Sequence, residues 1–169
     1  YYIKTAYNCC ALGDFKNTFV SLCALKEVIR QGVRGLDFEI YSINNDPVVA
    51  VSSLSDFNIK ESYNSLAFEK VMETIREHAF SGSTCPNPND PLILHFRIKS
   101  NNEEIFNKMT DAVYENLEAH ILGPDYSYEN NGENLGAEPI KDLMGKVIII
   151  VDKSNNAFEK SSFDEYVNM

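Results

Sequence analysis

No apolar run in these 169 residues is long enough to cross a membrane; the longest, Val147–Val151, has the length of a strand. Cysteine is sparse. Cys9, Cys10, Cys23 and Cys85 form no CxxC pair and show no zinc-ligand spacing, and neighbours such as Cys9 and Cys10 rarely bridge to each other. The thiols read as free, in a reducing compartment. Positive charge is the minority sign: 15 Lys and Arg stand against 25 Asp and Glu, for a net charge of −10 and a pI near 4.7. That balance argues against nucleic acid as the main partner and offers nothing to an anionic membrane. There is no initiating Met and no signal peptide, so the chain reads as an excised or truncated piece, here a single domain over residues 1–169. Internal repeats, low-complexity tracts and pleckstrin-like, C2 or EF-hand modules are missing too. What is present is 44% hydrophobic and 24% charged, the composition of a soluble globular domain with its own core.

The clearest pattern is Arg34–Tyr41, RGLDFEIY. Leu36, Phe38 and Ile40 alternate with Asp37, Glu39 and Tyr41, the period of a strand. A helix precedes it. Phe19, Leu22, Cys23, Leu25, Lys26 and Ile29 recur at helical spacing, Thr18 is placed to cap, and Gly32 closes. A strand entered from a helix belongs to a parallel sheet whose apolar face is covered by helices. Asp37 and Glu39 then face inward near the strand's C-terminal end, where carboxylates need a cation.

The rest of the chain repeats this logic. Thr5–Ala11 reads as a first strand or its exit, with Asn8 near the end. Val48–Val51 is a third strand after the Asn44-Asn45-Asp46-Pro47 turn. Ser52–Tyr63 is polar and irregular. Leu66–Phe80 is a helix with Phe68, Val71, Met72, Ile75 and Ala79 on one stripe. Three prolines and a glycine keep Ser81–Pro91 irregular. Leu92–Lys99 alternates again and puts Ile93, His95, Arg97 and Lys99 on one face. Asn101 or Asn102 caps a helix running to about His120. Leu122–Pro139 is a loop long enough to be functional or mobile. Gly145–Asp152 is a buried strand, and Ser161–Asn168 a short final helix. About five strands interleaved with helices make an α/β protein of βα units. It is short for a closed eight-stranded barrel, so either the sheet is open or the chain is part of a barrel.

On neighbouring strands, Asp37, Glu39 and Arg97 share one interior, with Asn8 at the end of another strand. Carboxylate and amide oxygens suit calcium or magnesium. Alternatively the guanidinium is itself the cation they need, and the group is a buried ion-pair cluster without a ligand. His95 lies one step deeper than Arg97 and reads as a hydrogen-bonded core histidine. His78 and His120, late in helices, read as surface groups near the last carbonyls. Pro124–Asn134, PDYSYENNGEN, reads as a solvated acidic loop in preference to a recognition surface.

The run from Asn8 to about Ser154 resembles the X region of phosphoinositide-specific phospholipase C. The matching order is an Asn after the first strand, then G-x-R-x-x-acid-x-acid at Gly32–Glu39 and acid-P-V-V at Asp46–Val49. A helix ending in Ala79-Phe80, a Pro-led strand at Pro91–Ile98 and Gly-Lys with an apolar run from Gly145 complete it. Each motif is common; their order and spacing together are specific. The resemblance implies the first half of a distorted TIM barrel, with the second half as partner. It also implies a cytoplasmic setting, a transient membrane surface, a phosphoinositide lipid or its headgroup as substrate, a role in lipid metabolism and signalling, and no nucleic acid.

The implied activity is that of a phosphoric diester hydrolase working through a cyclic inositol phosphate. The inositol 2-hydroxyl is the nucleophile, two histidines are acid and base, and calcium lowers the hydroxyl's pKa. Carried over residue by residue, the first histidine's place holds Tyr7 and the second's holds Val51. The Asn ligand is Asn8, the acidic ligand pair is Asp37 and Glu39, and the remaining Glu ligand's place holds Arg97. Of two lysines on the last strand, one position holds Val151 and the other Lys153, the implied phosphate contact. The implied catalytic set is thus Tyr7, Asn8, Asp37, Glu39 and Arg97, with Asn8, Asp37 and Glu39 as metal ligands if calcium binds. Each acid–base step is worth about 10²–10⁴-fold. Weak or absent family-type turnover is therefore expected, with Arg97 in calcium's electrostatic place. The rival expectation is an inactive binding or scaffold module for a phosphoinositide or a protein partner.

Overall fold

The computed structural model describes residues 1–52, 56–127 and 134–169. In chain order its elements are β1 (Thr5–Ala6), β2 (Ala11–Leu12), β3 (Phe19–Val20), α1 (Leu22–Arg30), β4 (Gly35–Ile43), β5 (Asp46–Ala50), β6 (Leu66–Ala67), α2 (Phe68–Ala79), β7 (Leu92–Ile98), α3 (Glu104–Leu117) and β8 (Val147–Val151). The alternating stretch is the central strand of a six-stranded sheet ordered β6-β5-β4-β7-β8, with β1 beside the start of β4. Strands β1, β4, β7 and β8 are parallel, and with the helices on one face they make an α/β sheet of the kind that the resemblance implies.

The sheet is mixed where uniform βα units were expected. Asn44 and Asn45 both adopt left-handed backbone, φ 50° and 64°, which lets a two-residue turn fold β5 back antiparallel on β4. The expected first strand is cut to Thr5–Ala6, because Asn8 turns left-handed at φ 47°. Ala11–Leu12 pairs with Phe19–Val20 in a separate antiparallel ribbon. Thr18 does not cap α1: its hydroxyl donates to the Leu12 carbonyl, and the Ser21 side chain accepts from the Cys23 N–H instead. Leu66 and Ala67, expected in the second helix, are extended against Val49 and Val48, so α2 starts at Phe68. Asn102 does serve α3, accepting from the Glu104 N–H at 3.1 Å. A short 3-10 turn, Glu118–His120, follows α3, and the final helix is only the 3-10 turn Asp164–Tyr166. Residues 128–133 of the tyrosine-rich loop lie outside the described residues.

The apolar side of each alternating strand packs beneath the helices. Leu36, Phe38 and Ile40 of β4 and Leu94, Phe96 and Ile98 of β7 join side chains of α1, α2 and α3 in one buried cluster. Phe96 centres it, with the Phe38, Phe68 and Phe163 rings 6.0, 5.4 and 6.2 Å away. The C-terminal residues return to this layer through Phe158, Phe163 and Val167. They end along β8, where the Asn168 N–H donates to the Ile149 carbonyl at 2.8 Å and the Val151 N–H to the Met169 carbonyl at 2.8 Å. Among the described residues no helix is long and apolar enough to cross a membrane.

One close approach places the site. A Cβ on Gly35 would lie 2.6 Å from Thr5 Cγ2, so the bare glycine lets β1 close onto β4 and bring Asn8 to the strand ends. Gly35→Ala is expected to push β1 outward at a cost of about 1–3 kcal/mol. A thermal melt lowered by several degrees is the expected readout; an unchanged melt would show that β1 tolerates the displacement.

Candidate functional site

Parallel register brings the inward residues of β4 and β7 side by side: Asp37 stands opposite His95 and Glu39 opposite Arg97. Arg97 grips Asp37 with two parallel bonds, Nε to Oδ1 at 3.0 Å and Nη2 to Oδ2 at 2.7 Å. Its Nη1 donates to Glu39 Oε1 at 2.5 Å, and its Nη2 also donates to Asn8 Oδ1 at 2.8 Å. Such charge-assisted, two-pronged contacts are the strongest hydrogen bonds a side chain makes. Every carboxylate oxygen has a partner. Asp37 Oδ2 accepts from the Asn8 N–H at 3.0 Å, and Oδ1 lies 2.8 Å from His95 Nδ1. Glu39 Oε2 accepts from the Tyr41 hydroxyl at 2.7 Å and the Ser52 N–H at 2.8 Å. The Tyr7 ring covers the flat of the guanidinium, 4.4 Å from its carbon, and meets Phe15 edge-on.

Burial and charge compete here, and charge wins. Burial pushes the Asp37 carboxyl up, but hydrogen bonds from His95, Arg97 and the Asn8 N–H hold it at about 2. Burial pushes Arg97 down, yet Asp37 and Glu39 raise it above its ordinary value. Burial, then the bond to Glu39, raises Tyr41. Below the cluster the Cys9 thiol donates to the Ala6 carbonyl and accepts from the Asp37 N–H, each at 3.2 Å. Burial pushes that thiol up to about 12, so it acts as a neutral brace.

Beside the cluster opens a cleft of about 450 Å³, lined by Tyr7, Asp37, His95 and Arg97 with Ile93 and Ile150. His95 is not a core residue as expected. Its side chain is 37% exposed and faces this cleft, because the inner face of β7 is open at that level. His120, expected at the surface, is stacked 3.7 Å from the Phe80 ring, with Nδ1 2.8 Å from the Gly145 carbonyl oxygen.

Residues 1–153 match the family described as phosphatidylinositol-specific phospholipase C, X domain. The chain belongs to that family. PLC21 of L. pealei superposes on 99% of this chain with a TM-score of 0.68 and 16% identity. A calcium-dependent phosphoinositol-specific phospholipase C from Pseudomonas sp covers 94% of it at TM-score 0.52 and 13% identity. A Ca2+-dependent phosphatidylinositol-specific phospholipase C from Streptomyces antibioticus covers 95% at 0.52 and 12%. At these identities the likeness is one of fold. The chain spans 23% of the L. pealei chain, 63% of the Pseudomonas chain and 55% of the Streptomyces chain. No curated protein matches it.

Within this X domain the residues carried over by resemblance separate into two groups. Tyr7, Asn8, Asp37, Glu39 and Arg97 meet in one cluster. Val51 does not join them: its side chain is buried in the core on the helix side, and its main chain bonds to Ser62. Lys153 is exposed, two residues past the end of β8. The X-domain cluster also holds groups that sequence reasoning did not assign to it. Tyr41 was readable, since it shares the Asp37 and Glu39 face. The Ser52 N–H was not, because a main-chain donor leaves no mark in composition or spacing.

Proposed function

We propose that this X domain is a phosphoric diester hydrolase-family module with little or no turnover by the family's acid–base route, and that its cleft receives a phosphoinositide headgroup. Val51 carries the reading: it stands at a position that resemblance gives to a proton-moving histidine, has no titratable atom, and is buried on the side away from the cleft. Tyr7, at the other such position, is a phenol with a reference pKa of about 10, and its ring is engaged over Arg97. Lys153 is the phosphate contact in this reading, residues 1–169 are one domain, and the second barrel half and a transient membrane surface are its partners in a cytoplasmic setting. Cleavage of fluorescent phosphatidylinositol, by protein purified with any half that completes the barrel, tests it. Losing both acid–base groups at about 10²–10⁴-fold each should leave turnover below detection. Turnover that Asp37→Ala abolishes sinks the proposal.

A second reading, a working enzyme with altered groups, is favoured by His95. Asp37 lies 2.8 Å from its Nδ1 and fixes the ring, whose other side faces the cleft. In that case turnover is measurable and His95→Asn removes it.

A further inference from the structure

Calcium takes six to eight oxygens at about 2.3–2.6 Å, each with a lone pair free for the ion. In this chain the oxygens that the family resemblance assigns to calcium are already bound to something else. Asn8 Oδ1, both Asp37 oxygens and Glu39 Oε1 all accept from Arg97. Glu39 Oε2 is taken by Tyr41 and the Ser52 N–H, and Asp37 carries the Asn8 N–H and His95 besides. A fixed positive charge stands where a doubly positive ion would have to enter, and Tyr7 covers its face. Among the described residues no three His, Cys, Asp or Glu side chains are grouped to hold a metal. The residues as they stand do not fit calcium.

We propose that Arg97 is the resident cation of this site, that the domain is therefore indifferent to divalent ions, and that a calcium site lies latent beneath it, one substitution away. Asp37, Glu39 and Arg97 sum to −1. Arg97→Glu would make the set −3 and present three carboxylates and the Asn8 amide oxygen from three neighbouring chain segments. The guanidinium also does what an ion would do for shape: it ties the turn after β1, the first half of β4 and the end of β7 into one unit. This inference is independent of turnover, since a metal-free site can be active or silent.

Calorimetry and thermal melts with calcium chloride decide it. The natural chain should give no binding heat and no melting shift at about 1 mM calcium. Arg97→Glu should bind with a Kd of about 10⁻⁴–10⁻³ M and melt higher when calcium is added. If Arg97→Glu is unfolded alone and folds on adding calcium, monitored by circular dichroism, the latent site is confirmed. If it does not fold with calcium either, Arg97→Gln decides: removal of the guanidinium should give weaker but measurable calcium binding. Two results overturn the proposal. One is calcium binding by the natural chain that Asp37→Asn abolishes. The other is a folded variant, Glu or Gln, that gains no calcium affinity.

Discussion

Arg97→Leu is expected to lower the melting temperature by about 6–20 °C at neutral pH. The substitution leaves Asp37 and Glu39, 9% and 2% exposed, without their cation. Breaking a buried pair from one side costs about 3–5 kcal/mol, because the remaining charge stays buried and uncompensated. In a domain of this length each kcal/mol is worth about 2–4 °C. The pH dependence identifies the cause. In the natural protein Asp37 is depressed from 3.8 to about 2. Its contribution is therefore complete above pH 4 and is lost as the pH falls through that interval toward 2. Without Arg97, burial of an unpaired carboxylate acts the other way and favours the protonated form. The penalty of Arg97→Leu should therefore shrink as the pH is lowered from 7 to 3. Urea melts of both proteins across that range measure it. A penalty that is constant with pH would mean that Arg97 stabilises through packing of its stem and not through charge.

The same cluster shows why some of this molecule was legible in its sequence. A period of two needs no partner to be read, so the alternation in Arg34–Tyr41 and Leu92–Lys99 placed Asp37, Glu39 and Arg97 on one inner face, and β4 and β7 pair in a register that makes them neighbours. What failed depended on information outside the local pattern. Thr18 and Ser21 are both good caps by type; which one serves α1 depends on the Leu12 carbonyl, six residues upstream of Thr18. Asn44 and Asn45 were read as a turn, but their left-handed backbone, which makes β5 return antiparallel, is a conformational choice that neighbouring strands help to fix. His95 was assigned to the core because it shares the Arg97 face one step deeper along the strand. Yet alternation says only which face a residue takes, and how deeply that face is covered depends on segments elsewhere in the fold. His120 was misplaced for a similar reason: Phe80, the ring it stacks on, lies on a different helix end.

Arg34 is the case in which sequence reading stopped furthest short, and its removal is the other large expected loss. It immediately precedes β4, three residues before Asp37, and is 3% exposed. Its oxygen acceptors are main-chain carbonyls, Nη1 to Ala79 at 2.7 Å, Nη2 to Asp90 at 2.6 Å and Nε to Pro91 at 3.3 Å, and Nη1 also donates to Cys85 Sγ at 3.6 Å. Burial pulls its pKa down, the Cys85 thiol beside it pulls the other way, and the charge also rests 5.3 Å from the Phe80 ring centre. Ala79 is the last residue of α2, so the guanidinium lies at the negative end of that helix. One side chain thus anchors the end of α2 and the end of the Ser81–Pro91 loop to the central strand. Its oxygen acceptors lie 45 to 57 residues away and belong to the backbone, which no residue pattern reveals. Arg34→Met keeps much of the volume and removes the donors. Two short charge-assisted bonds at about 1.5–3 kcal/mol each put the loss at about 3–6 kcal/mol, or about 6–24 °C in melting temperature. Limited proteolysis should open first within Ser81–Pro91. Arg34→Lys keeps the charge but not the fork, so it should recover only part of the loss. Unlike Arg97→Leu, this variant strands neutral carbonyls and no buried acid, with only the half-buried Asp90 losing a nearby charge, so its penalty should change little between pH 7 and pH 4. A melt within about 2 °C of the natural protein, with the loop still resistant to protease, would mean that the prolines hold Ser81–Pro91 in place without Arg34.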